Sequence, residues 1–581
     1  LESLDDIEHK TRIREAIIND PLNKRLLASG KMKETTANKR IAEIVRHMRE
    51  VDLVRVMPDN TLTVPNEMPL GQFLEQRNFN LNENYLVDLV DRDMSSIMST
   101  YHYNMSGRVA LQEQFGTDNL AQLRNDVIKP AAQQAKDMGA SSREIENLTD
   151  DFNTLFEQVL GTHGMPQKPN AWGERMTRQL MKFNYLTFGG GFGINALADM
   201  GVVSFTVGLG NTMKHFGPSL KAIQDLKGQA EVTPWVEQAI ALGAASDYYN
   251  MRTLSRFDDV DTMFTDTKME RVLDKGGQVM QQASGLAPIT AMEEMMAIGG
   301  GTVDMINTAR KFKETGKLPN GFEEKISRYG LTKEDLKWVA EQPVIIENGR
   351  LIDFNWGEWK NKQKMEKFQT AITKTMNDAV IRGDKTMLPH YMTSANPFMK
   401  LMTQFLRYPH IAYERVLLRG ASKPTARFMS GTMTSAAIMS SIYYLREQAL
   451  IEAGVLDERD AKYAIYDRFG NFDDEAMMRL SWTVASKLPQ LGISMDVVNK
   501  GIALGGKPTP GRHYDENAWT AIGGVAASRF ENVTKGLDAA FDGKFDSMQG
   551  YYLGKSITPF QNFLNLDQVY NPMVKDLIEG R

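Results

Sequence analysis

Gly550, Gly554, Lys555 and Ser556 are residue types that cradle and neutralise a nucleotide phosphate. Such a loop needs four residues between its last two glycines, and this one has only three, with Gln549 where the first glycine belongs. Gly191, Gly193 and Ala196 match G-x-G-x-x-A, a turn that lets a pyrophosphate approach the backbone. No alternating strand precedes them, and no acid between Gly201 and Ala222 is there to take a ribose hydroxyl. Asp259, Asp261 and Glu270 have the first, third and last spacing of a calcium loop, but Phe264 stands where the sharp turn requires glycine. They read as charges on a solvated turn.

Other catalytic constellations are excluded by residue type or spacing. The eight histidines never fall within five residues of one another, so a His/carboxylate metal site would have to be assembled from distant segments. Glu293-Glu294 and Asp473-Asp474 are adjacent in sequence, which on a helix turns the two carboxylates about 100° apart, away from any shared substrate. A Glu-Ser pair of the kind used in peptidoglycan cleavage occurs at Glu2-Ser3, without flanking helices to shape a cleft. The sequence therefore predicts a non-enzymatic chain, with no catalytic, cofactor-binding or metal-binding residues and no cofactor.

Composition narrows the classes further. The 581 residues are 42% hydrophobic and 24% charged, as in folded proteins, and their number predicts several compact units. There are 35 Met and no Cys, which excludes disulfides, thiolate-bound metals and cysteine nucleophiles. A net charge of −5 argues against polyanion binding by bulk charge, so any nucleic-acid contact must be local. The chain opens at Leu1 on an acid-bearing stretch with no apolar run, as expected of a fragment or a processed product.

Two stretches depart from the average. Residues 183–213 hold one charge, Asp199, and seven glycines, among them the GxxxG pair Gly189 and Gly193. Glycines weaken an isolated helix by roughly 1 kcal/mol each, but they let backbones meet closely in a bilayer or a tight bundle. Residues 428–445 carry no charge and lie between Arg427 and Arg446. At 1.5 Å per residue they span about 27 Å, just enough to cross a hydrocarbon core. Phe428, Ser430, Ala436, Ser440, Tyr443 and Tyr444 are the candidate membrane or helix-packing residues, the two tyrosines at one edge. Three readings stand: a small-residue seam between helices, a membrane span, or a buried helix. Six Ser/Thr hydroxyls in this stretch must bond back to the backbone or across to another helix.

The flanks differ in charge. Residues 360–427 hold 13 Lys/Arg against 4 Asp/Glu, and residues 446–475 hold 4 against 9. A spanning helix would place the basic side in the cytoplasm. Lys360, Lys362, Lys364 and Lys367 on one helical stretch, with Arg407, Arg415 and Arg419 on another, are candidates for a shared basic face toward DNA or phosphate; a solvated helix face is the alternative.

Helical periodicity dominates the elements that must position these groups. Apolar residues recur at three and four residue steps over 84–115, 120–138, 142–160, 174–188, 235–249, 269–283, 359–381 and 397–418. Two hairpins are expected, one over 53–64 and one over 344–354, the second turning at Asn348-Gly349. Three N-terminal helices before the first hairpin outline a winged helix or a plain helical packing unit. Breaker-rich segments at 161–170, 316–321 and 505–511 suggest seams. The predicted architecture is mainly α: an elongated, multi-block helical protein with two small β-hairpins. Its blocks are 1–65, 66–165, 166–320, 321–510 and a C-terminal tail, 511–581.

The segment Ser394-Ala-Asn-Pro397-Phe398-Met-Lys-Leu401-Met402-Thr403-Gln404-Phe405-Leu406-Arg407-Tyr408-Pro409 resembles the P-F-x-x-L-x-x-Q-F pattern in the C-terminal portion of large internal virion proteins of short-tailed bacteriophages. In those proteins this helix is followed by an apolar, small-residue helix and a polar end rich in Pro and Gly. Here Arg415 to Gly420, the 428–445 stretch and Leu488-Pro489 follow in that order, and the run after Tyr185 is similar to their apolar stretches. The resemblance covers residues 170–581. It implies a core protein of the capsid interior that is ejected with the genome and helps form a conduit across the host cell envelope. The implied partners are other internal virion proteins, portal or core proteins, further copies of itself, genomic DNA without sequence preference, and the host inner membrane. Some large members carry an N-terminal transglycosylase or polymerase, of which no motif occurs here. The alternatives are a bacterial pore-forming or envelope protein, and an enzyme with an unrecognised site.

Overall fold

The structure is a computed structural model that describes residues 94–160, 172–189, 192–245, 268–382, 388–452 and 474–489, apart from single or paired positions, and a few isolated positions besides. The N-terminal helices and first hairpin, the acidic flank beyond 452, the seams at 161–170 and 505–511, the Gly550 loop and the C-terminal tail lie outside the described residues. The chain forms two compact units, one of residues 1–175 with two short later segments, the other of residues 176–263, 269–392 and 397–581. Among the described residues the fold is mainly α, with a single two-stranded sheet.

In the first unit, α1 (Met94–Phe115) is followed by a short helix that passes through a π turn, Arg124–Ile128, into α2 (Lys129–Asp137). α3 (Ser142–Val159) starts on a capping box. The Ser141 hydroxyl accepts from the Glu144 N–H at 3.3 Å, and the Ser141 N–H donates to the Glu144 carboxylate at 2.7 Å, satisfying two otherwise orphaned donors. The hydroxyl and backbone bonds from Ser141 hold the Glu144 carboxyl below its ordinary value. Leu111, Leu123, Ile128, Phe156 and Leu160 form the core here.

The second unit contains α4 (Trp172–Phe188) from Met176 on, α5 (Phe192–Ala196), α6 (Met200–Val207), α7 (Leu209–Lys227), α8 (Pro234–Ala241) and α9 (Lys268–Ala283) from Met269 on. These are followed by α10 (Leu286–Thr315), α11 (Phe322–Arg328) and α12 (Lys333–Val339), then β1 (Ile345–Glu347) and β2 (Arg350–Asp353). The last helices are α13 (Lys362–Ala379), α14 (Pro397–Thr403), α15 (Arg407–Ala412), α16 (Ala426–Glu452) and α17 (Asp474–Lys487).

α10 is the axis of this unit, buried almost without interruption from Leu286 to Ile306 and packed by α6, α7, α8, α12, α13 and β2. A helix covered on every side shows no apolar stripe, which is why periodicity did not reveal it. Its centre is Gly299-Gly300-Gly301. A Cβ would meet the His215 ring at the first, Val207 at 2.9 Å at the second and Thr375 at 2.8 Å at the third, so missing side chains are the space into which α6, α7 and α13 fit. The segment 316–321, expected to be a seam, lies inside this unit as the turn from α10 to α11.

The second hairpin forms as predicted in place but with a tighter loop. Asn348 and Gly349 have φ of 51° and 74°, the two positive values a type I′ turn requires. Its Leu351 N–H donates at 3.2 Å to Nε2 of His215, whose Nδ1 lies 2.9 Å from the Asn211 carbonyl. Only the neutral ring protonated at Nδ1 makes both bonds. Burial pushes the His215 pKa down against the pull of the Asn211 carbonyl, with Arg350 and Lys214 adding to the fall.

A group whose folded pKa is lowered in this way binds its proton more readily in the unfolded chain. Its contribution to stability is complete above about pH 6.5 and declines as the pH falls below that value, by at most ~1.4 kcal/mol per pH unit. Urea midpoints measured between pH 5 and 8 should fall on the acid side, and His215→Gln should flatten that part of the profile. An equal acid loss in both proteins would rule out His215 as its source.

Candidate functional site

The residues that carry the family resemblance converge on the glycine-rich segment. The predicted helix over 397–418 is broken: α14 ends at Thr403, Phe405 takes φ +69°, and the chain restarts in α15 before a π turn, Tyr413–Leu418. A bulky side chain in the left-handed region is strained by roughly 1–2 kcal/mol, and packing holds it there. The break turns three successive groups onto the same target. Gln404 is buried, accepts from Asn184 Nδ2 at 2.8 Å and donates to the Met181 carbonyl at 2.8 Å. The Phe405 ring meets Phe192 edge-on at 5.5 Å. The Tyr408 hydroxyl donates to the carboxylate of Asp199, the only charge in residues 183–213 and itself buried. Gln404, Phe405 and Tyr408 thus form a clasp on α4, α5 and the short 3₁₀ turn Leu197–Asp199 that follows α5.

α16 closes the other side. Gly431, Ser435, Met439 and Tyr443 are its buried positions among the described residues, one every four residues, and the stripe lies along α6 and the preceding turn. Gly201 and Gly431 face each other: a Cβ on Gly431 would lie 2.5 Å from the Gly201 carbonyl oxygen, and one on Gly201 would overlap Ser435 and the Gly431 carbonyl. Ser435 Oγ donates across the seam to the Ala198 carbonyl at 2.6 Å. Ser430, Thr434 and Ser441 donate back to carbonyls of their own helix. The two apolar stretches pack on each other through small residues.

The glycine pair singled out by spacing does something else. Gly189 and Gly193 are both buried but do not share a helix: Gly189 touches Tyr185, Met280 and Phe192 side chains, and Gly193 lies on the Ser284 backbone. Phe428 packs edge-on against Phe205 at 5.8 Å, and Ala436 lines the cluster around Ala198, Met439 and Tyr443. Ser440 is half-buried. Tyr443 is buried and Tyr444 is half exposed, so the two tyrosines do not form one interfacial edge. Among the described residues no single helix is long and apolar enough to cross a membrane. Trp172–Thr187 and Phe192–Val207 pass that test only as a pair bent by 75°.

An ion cluster pins the start of α16. Arg427 donates to both oxygens of Asp304 on α10, at 2.9 and 2.7 Å, and Lys325 of α11 reaches the same carboxylate at 3.0 Å and the Thr206 carbonyl at 2.9 Å. That carbonyl lies in the last turn of α6, where acceptors have no partner within the helix. Burial works against the Asp304 charge, but Lys325 and Arg427 outweigh it and hold the carboxyl below its ordinary value. The Asp304 bonds raise the Arg427 pKa in turn. Two further buried pairs, Arg178 with Glu270 at 3.1 Å and Lys182 with Asp274 at 2.8 Å, join α4 to α9 one helical turn apart. Glu270 is therefore a buried ion-pair partner and not a charge on a solvated turn. Glu294 binds Arg382 and accepts from the Ala245 N–H at 2.7 Å.

The basic candidates do not form one shared face. Lys360 and Lys362 are exposed, Lys362 lying 3.8 Å from Glu366; Lys364 sits over the Trp338 ring at 5.6 Å; Lys367 is paired with Asp335 at 2.6 Å. All four lie near the start of α13. Arg415 donates to the Asn377 carbonyl at 3.0 Å and Arg419 to Asp378 at 3.2 Å, at the far end of that helix, about 20 Å away by helical rise. Arg407 is buried and donates to the Met392 carbonyl at 3.4 Å.

Sequence reasoning missed Asp304 and Lys325, for which local patterning carries no signal, and Gly299 to Gly301, whose run was itself visible. Among the described residues no group of three or more His, Asp or Glu is placed to hold a metal ion. No protein-family model, curated protein or solved structure matches this chain.

Proposed function

We propose that this chain is a structural internal virion protein of a short-tailed phage. In this reading it is not an enzyme; it is stored in the capsid core, ejected with the genome, and joins other internal virion, portal or core proteins and further copies of itself in a conduit across the host cell envelope. One observation carries the reading: Gln404, Phe405 and Tyr408, part of the segment that carries the resemblance, are the side chains that grip the glycine-rich apolar stretch. This clasp also sets the Phe405 and Tyr408 rings against the apolar clusters around Met280, Leu286 and Ile411. Opening it would release two apolar segments that are packed on each other through glycine, serine and alanine, a surface suited to meeting the inner membrane or partner helices. The lack of Cys removes oxidative trapping during passage through an oxidising periplasm, and 35 Met allow a core to repack.

The test is quantitative mass spectrometry of purified particles before and after ejection. The chain should be present in filled virions and depleted from emptied ghosts. Retention in ghosts at full copy number would overturn the proposal.

A further inference from the structure

α7 and α3 each carry an apolar stripe on the side turned to water, and the charges beside the two stripes are opposite. On α7, Leu209, Met213 and Leu220 follow at steps of four and seven residues, so they share one edge of that side. All three are exposed, Met213 to 61%. Lys214 and Lys221, seven residues apart and also exposed, line the other edge. Neither lysine meets a carboxylate among the described residues, Lys214 lying against the Gly349 turn, and α7 has no acid before Asp225. Gly210 and Gly217 lie between the two edges, where a Cβ meets nothing within 4 Å and a second backbone has room to approach.

On α3, Glu144, Leu148, Asp151, Leu155 and Val159 recur at three- and four-residue steps and so share one face. Leu155 and Val159 are exposed, Leu155 to 52%, and Leu148 is half-buried. Asp151 is exposed and meets no cation among the described residues. Glu144 is exposed as well, and its bonds to Ser141 both use Oε2, which leaves Oε1 outside the cap. Glu146 and Asp150 add two more exposed carboxylates, and Arg143 is the only base on the helix.

We infer that α7 of one copy of this chain takes α3 of a second copy, apolar stripe on apolar stripe, with Lys214 and Lys221 opposite Glu144 and Asp151. Seven residues of helix rise about 10.5 Å, so the spacing of the two lysines matches that of the two carboxylates. The spacing of Met213 and Leu220 matches that of Leu148 and Leu155 in the same way. Two copies of α7 would set lysine against lysine, and two copies of α3 acid against acid, so neither face pairs with itself about a two-fold axis. A contact between two different faces closes into a ring or extends as a filament. It supplies the surface for the contact between copies in the proposed conduit, and it rests on that reading for its setting.

Sedimentation velocity of the purified chain over a concentration series tests it. The parent should self-associate. Lys214→Glu with Lys221→Glu should weaken association by about tenfold or more, because like charges then face each other. Asp151→Lys with Glu144→Gln should do the same, and glutamine keeps the capping box. Mixed in equal amounts, the two variants should associate again, since each supplies the charge the other lacks. Lys360→Glu with Lys362→Glu should leave association as it was, and urea midpoints at the parent value show that each variant is folded. A parent that stays monomeric, a Lys214/Lys221 variant that associates as the parent does, or recovery only when all four substitutions sit in one chain, which marks a contact within the chain, would overturn the inference. Any of these leaves the comparison of virions with ghosts, which decides the proposed function, untouched.

Discussion

Asp304→Ala should lower the stability of the second unit by about 3–5 kcal/mol, the range for removing one partner of a buried ion pair. The cost comes less from the lost attraction than from what is left behind. Lys325 and Arg427 would face each other across a mostly desolvated gap with no counter-charge, and Lys325 would retain only the Thr206 carbonyl. The exposed part of Arg427 can turn to water, which keeps the loss inside that range.

Urea unfolding of Asp304→Ala against the parent measures it, and a loss under 1 kcal/mol would show that water already screens the cluster. Because the folded Asp304 pKa is depressed, the cluster's contribution is present above the unfolded carboxyl value of about 3.9 and is lost as pH falls through that region. The parent should therefore be more acid-sensitive than a variant in which Asp304, Lys325 and Arg427 are all apolar. That triple variant should recover much of the lost stability, since a well-packed apolar replacement of a buried ion cluster is often neutral.

Gly201→Ala should cost about 3 kcal/mol or more, at or above the upper end for overpacking, because the added carbon meets backbone as well as a side chain. Its overlap is with the Gly431 carbonyl and with Ser435, whose N–H would lie 2.8 Å away, so α6 and α16 must separate along the seam. Gly431→Ala meets the Gly201 carbonyl and should cost a similar amount. The two together should cost less than their sum, since one separation relieves both.

Gly210, in the same glycine-rich stretch, offers the contrast. It lies in the first turn of α7, and a Cβ there has nothing within 4 Å. Gly210→Ala should stabilise the protein by about 0.4–1 kcal/mol by removing backbone freedom from the unfolded chain. Denaturant midpoints of the three variants separate the two roles of glycine. Equal effects at 201 and 210 would show that the seam yields without cost.

Much of the helical plan was legible before any coordinates. Amphipathic helices such as α3, α9 and α13 expose one face to water, so their apolar residues recur with the helical period and their ends fell within a few residues of the predicted ones. Asn348-Gly349 announced its turn because few other residue pairs accept two positive φ values. The absence of charge in 428–445 announced a helix that packs on apolar or small neighbours, and the requirement that its hydroxyls find carbonyls is met at Ser430, Thr434, Ser435 and Ser441 but not at the buried hydroxyl of Thr432.

Other features had no local signal. α10 is covered on all sides, so its sequence has no polar face to set a period, and its three glycines, each unfavourable in an isolated helix, fit because α6, α7 and α13 occupy the space beside them. The break at Phe405 contradicts a continuous apolar period over 397–418, because the left-handed residue is held by Phe192 and by the Gln404 and Tyr408 bonds rather than by its own propensity.

What the sequence by itself determined is the class of the chain: helical, free of thiol chemistry, with charge gathered in 360–427 and withheld from 183–213 and 428–445. Only the tertiary structure decided how those parts are used. It set the two apolar stretches against each other and divided the basic stretch between the two ends of α13, joining its last arginines to α11. It also assigned Asp199 to Tyr408 and Asp304 to Lys325 and Arg427. The physical reason is range: helical period and turn preference act over a few residues and are written locally, whereas a seam, a clasp and an ion cluster join groups up to 237 positions apart and exist only once packing has brought them together.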